Sequence, residues 1–178
     1  MESSFRAAGV GRAGQAYSHR VLCYPDGLRR GDRGVKEKES HLEVLRLMEE
    51  HAPFNRFLGM KGGDLEPGHA VIELPVREEF VGDPRRPALH GGVVSALIDS
   101  TGGAAAWSAL GPGESVSTVD LRVDFLEPAR LAGPLRAEAR LLRKGNRVCH
   151  VRVSVTQDGV LVAEGSAVYN IHRRRPEA

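Results

Sequence analysis

Gly91-Gly92-Val93-Val94-Ser95-Ala96-Leu97-Ile98-Asp99-Ser100-Thr101-Gly102-Gly103-Ala104-Ala105-Ala106-Trp107-Ser108-Ala109-Leu110 is apolar on every side apart from one acid. Small residues run from Gly102 to Ala106. A helix of this composition has no face for water and is expected to be buried all round. Something must wrap it. Downstream, the hydrophobic period changes from 3.6 to 2. Val119, Leu121, Val123 and Phe125 alternate with Thr118, Asp120, Arg122 and Asp124, and Pro128 follows. Leu135, Ala137, Ala139 and Leu141 alternate with Arg136, Glu138 and Arg140, and Val151, Val153 and Val155 with His150, Arg152, Ser154 and Thr156. A last strand, Val160 to Ile171, follows the Asp158-Gly159 turn, while Lys144-Gly145-Asn146 makes the turn before His150. Connections this short pair neighbouring strands antiparallel.

Upstream of the long helix, His69 to Val76 reads as a strand, and Val81 to Pro87, with Gly82, Pro84 and Pro87, as a loop. Glu39 to His51 reads as an amphipathic helix capped by Ser40, with Pro53 just beyond. The elements sum to an α+β domain over 39–173: an antiparallel sheet of about five strands around one long buried helix, preceded by a shorter helix. Residues 1–38 have no sustained apolar period and read as a disordered extension, and 174–178 as a solvated tail. The Arg-rich, acid-poor opening shares features with an organelle transit peptide, but a tail outside the fold accounts for it more simply. Arg30-Gly31-Asp32 is a tripeptide short enough to recur by chance.

A net charge of +2 gives no general attraction to nucleic acid. No apolar run reaches the roughly 20 residues of a membrane span free of charge or glycine. Cys23 and Cys149 lie far apart, in no metal or redox spacing, so free thiols in a reducing, cytoplasmic setting are expected, with no metal and no cofactor.

Asp99 is the residue that asks for a chemical reason. An ionised carboxylate among apolar groups costs several kcal/mol unless it is paired or hydrogen-bonded. His90-Gly91-Gly92 opens the same helix. Glycines there leave the first N–H groups unblocked, and these, with the positive helix end, suit a developing oxyanion. Nine residues of helix, on the order of 13 Å, separate His90 from Asp99. One carbonyl within hydrogen-bond reach of both groups therefore requires Asp99 to come from a second copy whose helix runs the other way. A two-fold dimer does this and creates two identical sites.

At these residues the chain resembles the PaaI-like branch of the hotdog thioesterases. The resemblance is carried by Leu89-His90-Gly91-Gly92, by the Asp nine places after the His, and by Thr118-Val119-Asp120-Leu121 running to Phe125-Leu126-Glu127-Pro128-Ala129. Pro53-Phe54-Asn55-Arg56-Phe57-Leu58-Gly59-Met60 and Ala163-Glu164-Gly165-Ser166-Ala167 are similar too. It implies a hotdog fold, a CoA thioester as substrate, no metal, and a homodimer that often pairs again into a tetramer. Position by position, it implies Asp99 as nucleophile or general base, Gly91 as the backbone donor to the carbonyl oxygen, His90 as the group that orients or polarises that carbonyl, and Thr118 as a holder of the attacking water.

Gly92 belongs to the same binding turn. Arg143, Lys144 and Arg147 could meet CoA phosphates, or simply keep a hairpin tip soluble. Val119, Leu121 and Val123 would wall the acyl group. Pro84 stands where the family frequently has an Asn, and the adjacent Asp83 could replace it only as an acceptor when ionised. By alternation Thr118 falls on the face opposite Val119, so either the strand bulges or Thr118 is a surface residue. A non-catalytic acyl-CoA-binding or regulatory hotdog domain would use the same pocket but has little need of an unpaired buried acid. A hotdog hydratase lacks a matching motif here.

Overall fold

A computed structural model of the chain describes residues 52–111 and 113–173. The helix expected over Glu39 to His51, the 1–38 extension and the 174–178 tail lie outside these residues. Pro53 has a place of its own in the described residues. It opens α1 (Pro53–Leu58), where a proline costs nothing because the first helical N–H has no partner to lose, and Gly59 at φ 77° closes it.

Strands β1 (Lys61–Glu66) and β2 (His69–Leu74) follow, then a short hairpin of β3 (Val81–Asp83) and β4 (Arg86–Leu89), and then α2 (Gly91–Ser108). Four long strands complete the domain: β5 (Glu114–Phe125), β6 (Leu135–Lys144), β7 (Val148–Gln157) and β8 (Val160–Arg173). Six strands form one sheet in the order β1-β2-β6-β7-β8-β5, every neighbouring pair antiparallel. This is the α+β hotdog arrangement, with one more strand than expected. The extra strand is β1, whose Lys61-Gly62-Gly63-Asp64 has no alternation and is held by pairing with β2. The hairpin β3–β4 replaces the expected loop, and Pro87 is tolerated in it because only its carbonyl is used, accepting from the Leu131 N–H at 3.3 Å, so the missing N–H costs no ladder bond.

The helix lies close on the sheet because the sheet's inner face is built from small side chains. Ala70, Ala137, Ala139, Ala163 and Ala167 are all buried beneath it. Gly165 is required there: a Cβ would collide with the Cγ2 of Ile98. Gly102 answers from the helix side, where a Cβ would collide with the hydroxyl of Tyr169. Gly102 thus serves packing within the chain. The helix is not buried all round. Gly92 is exposed and Ala96, Asp99 and Gly103 are half-buried, a stripe at helical spacing that the chain's own sheet leaves uncovered. Among the described residues no helix is long and apolar enough to cross a membrane.

Candidate active site

The start of α2 is pinned on both sides. The Leu89 N–H donates to Ala129 O (2.8 Å) and the His90 N–H to Phe80 O (2.7 Å), tying the turn before the helix to the loop after β5 and to the 3₁₀ turn before β3. His90 is the N-cap, and its Nδ1 accepts from the Gly92 N–H at 2.9 Å. Histidine is not among the favoured capping residues, but a ring nitrogen with a free lone pair does the same work. Accepting at Nδ1 puts the proton of the neutral ring on Nε2, leaving the exposed edge of His90 as a donor. The first amides are therefore not equally open. That of Gly92 is taken, whereas that of Gly91 has no acceptor among the described residues.

Two turns further along, Thr118 Oγ1 donates to Asp99 Oδ1 at 2.7 Å. The pairing of β5 with β8 explains how Thr118 gets there. Thr118 faces Tyr169 and Asp120 faces Val168, so Val119 is an extra residue at a bulge. The extra residue turns Thr118 onto the same face as Leu121 and Val123, and turns Val119 outward, where it is 64% exposed. The strand bulges, and Val119 is not part of an apolar wall. The bulge is a property of the β5–β8 pair and cannot be read from either strand alone. Behind Asp99, the buried Tyr169 donates its hydroxyl to the Asp99 carbonyl at 2.8 Å. Burial, and then the Asp99 charge, push the Tyr169 hydroxyl far above the usual range, so it remains a donor.

Asp83 is held by Arg85. The Arg85 backbone N–H and Nε both reach Oδ1 at 3.0 Å, and Nη2 reaches Oδ2 at 3.1 Å, which keeps the carboxyl below its usual range. It can accept but not donate. Lys144 lies at the far end of α2, where Nζ donates to Ala109 O at 2.8 Å and neutralises the helix C-terminus. With Arg143 and Arg147 it forms the tip of the β6–β7 hairpin, about 27 Å of helix from Gly91 in the same chain.

Beside Gly91 a groove of about 410 Å³ runs between the start of α2 and the segment Phe125–Ala129. Sequence reading did not single out the group that fixes its wall. Gln157, buried at the end of β7, donates to Arg130 O (2.8 Å) and Gly133 O (2.7 Å) and accepts from the Arg130 N–H (2.8 Å). A buried amide with all three bonds made to one loop is a latch, and nothing in the local pattern of β7 announces it.

The model of the thioesterase superfamily matches residues 87–164. A Saccharolobus solfataricus protein carrying the name of an esterase is 39% identical over 124 residues, which are 69% of this chain and 86% of the relative. The chain belongs to the thioesterase superfamily. The matched stretch of this thioesterase-superfamily chain takes in His90, all of α2 and the β5 bulge. Another relative, the medium/long-chain acyl-CoA thioesterase YigI of Escherichia coli K12, is 33% identical over 135 residues, 68% of this chain and 86% of the relative. Among solved structures, a phenylacetic acid degradation-related protein of Ralstonia eutropha superposes with a TM-score of 0.64 at 30% identity, covering 71% of this chain and 98% of that one.

Proposed function

We propose that the chain hydrolyses an acyl-CoA to free acid and CoA at a site shared between two subunits. The Gly91 N–H and the positive end of α2 in one subunit receive the carbonyl oxygen, with the Nε2–H of His90 beside them. Asp99 of the other subunit takes a proton from the water that adds to the carbonyl, or adds to it directly. Either addition leaves negative charge on the carbonyl oxygen, where one backbone donor is typically worth ~2.7–4 kcal/mol. Collapse then expels CoA as the thiolate, which takes up a proton; where Asp99 itself has added, the mixed anhydride left behind is cleaved by a water, giving the free acid and restoring the Asp99 carboxylate.

One observation carries this reading: the Asp99–Thr118 hydrogen bond on the stripe of α2 that the chain's own sheet leaves open. Thr118 donates to Oδ1, so its oxygen lone pairs can accept from a water that Oδ2 would deprotonate. The names of the acyl-CoA thioesterase relatives support the substrate class. Helix length supports which cations would meet the CoA phosphates. About 15 Å of α2 separates Asp99 from Ala109, against about 27 Å from Gly91. Arg143, Lys144 and Arg147 of the subunit that gives Asp99 therefore stand nearer the shared site. Gly92 shapes the turn, and Asp83 could contribute only as an acceptor.

The test is release of free thiol from acyl-CoAs. Asp99→Asn is expected to lower turnover at least ~10²-fold with the fold intact, as loss of a base does, and near-normal turnover sinks the assignment. Gly91→Pro removes one N–H at a helix position that takes proline, at the cost of a small shift in the exposed Phe125 ring, and is expected to be equally poor. Co-expressing the two variants should regenerate one intact site per mixed dimer. No recovery would mean that both groups act within one chain.

A further inference from the structure

We infer that the groove beside the start of α2 receives the acyl chain of the thioester, that Phe125 sets the chain length it accepts, and that Glu127 selects against chains ending in a carboxylate. This rests on thioester hydrolysis at Gly91 and adds what that reading leaves open. Gly91 belongs to both places: its amide would bind the carbonyl oxygen, and the residue lines the groove. A chain attached to that carbonyl carbon therefore begins at the groove. The other lining side chains are those of Leu89, Val94, Phe125, Leu126 and Val162, with Pro128, Ala129 and one ionisable residue, Glu127. No cation lines it, so the groove suits hydrocarbon and not the phosphates of CoA. About 410 Å³ lies within the ~300–1,000 Å³ of ordinary small-ligand sites.

The groove is preformed on its protein side. The Leu126 and Glu127 N–H groups both reach Val162 O (2.9 and 3.1 Å), the Leu89 N–H holds Ala129 O, and Gln157 latches the residues that follow. The side chains facing it are unsatisfied in the apolar sense: Phe125 and Leu126 are 56% and 50% exposed, and an alkyl chain would cover them. Phe125 stands where the chain must pass. Its ring lies so close over Gly91 that a Cβ there would sit 3.0 Å from Cζ. Trimming the ring enlarges the groove beside Gly91 and enlarging the ring fills that space, so the number of methylenes the groove holds follows the ring. Glu127 is exposed and is the one ionisable residue of the lining, so a carboxylate carried on an acyl chain in the groove would meet a like charge.

The experiment measures binding of non-hydrolysable CoA thioethers of increasing straight-chain length by calorimetry, and thiol release from the matching acyl-CoAs. With wild type, Kd is expected to fall roughly fourfold per added methylene until the groove is full, then level off. Phe125→Ala should move the plateau to longer chains and Phe125→Trp to shorter ones. Glu127→Gln should tighten an ω-carboxyl thioether roughly fivefold relative to its methyl-ended counterpart. A length profile that neither Phe125 variant moves, or no length dependence at all, overturns the inference. Thiol release with an unmoved profile retains hydrolysis and rejects the groove. A profile that follows Phe125 with no thiol release retains the groove and rejects hydrolysis.

Discussion

Thr118 and Asp99 form a pair whose worth is set by charge. A hydrogen bond to an ionised group is worth about 1.5–3 kcal/mol, roughly 10- to 100-fold in rate if it acts at the reacting water. Thr118→Val keeps the shape and deletes the donor, so turnover should fall by that factor with little change in KM, and Thr118→Ser should restore most of it. Equal activity in all three proteins would make Thr118 a spectator. A different residue tests stability. Glu138 accepts from His69 (3.2 Å), Arg136 (3.0 Å) and Arg140 (2.6 Å) on the outer face of β2 and β6. Arg136 above all, then His69 and Arg140, lower its carboxyl to about 2. A depressed carboxyl stabilises the fold above its unfolded value and loses that contribution as pH falls through its folded value. Glu138→Gln should therefore melt below wild type at pH 7, by about 1 kcal/mol or less for so exposed a network. The gap should close between pH 4.5 and 2 in thermal melts. A gap that persists at pH 2 would assign the effect to packing.

At the level of elements, the closest fit is between α2 and β8, where Gly165 meets Ile98 and Gly102 meets Tyr169. Gly165→Ala should overpack this contact and cost about 1–3 kcal/mol. Ile98→Ala alone should cost ~2–5 kcal/mol as a cavity. Because each change relieves the other, the double variant should be more stable than the sum predicts, measured by denaturant unfolding. Additive losses would mean that helix and sheet do not meet there. The same contrast explains what could be read beforehand. Strands β6 to β8 each bury one face and β5 half-buries Leu121 and Val123, so their period is plain, and α2 declares itself by lacking a polar face. β1 exists only through its partner, as does the hairpin at Pro87, whose prolines and glycines read as a loop. The bulge at Val119 arises from the register of two strands, and Gln157 acts on a loop 24 to 27 residues away. Local pattern carries the elements. Pairing carries the placement of Thr118 and the wall of the groove.

For the whole molecule, the stripe Gly92–Ala96–Asp99–Gly103 decides whether one chain suffices. It is small and apolar around a single acid, and the chain's own sheet leaves it half-open. A two-fold copy with its helix antiparallel would bury the stripe against itself and bring each Asp99 toward the other Gly91. Ala96 lies between those two residues on the stripe, outside the hydrogen bonds that hold Asp99 and His90. Ala96→Glu would set like charges face to face across such a two-fold and leave the inner core of each chain untouched. The expected result is a folded monomer, by sedimentation and by an unchanged far-ultraviolet spectrum, that releases thiol at least ~10²-fold more slowly, because neither half-site contains both the amide and the base. A monomer with full activity would show that the acid and the amide meet within one chain, and would remove the reason for a shared site. A fully active dimer would place the two-fold elsewhere, with the stripe free for another contact.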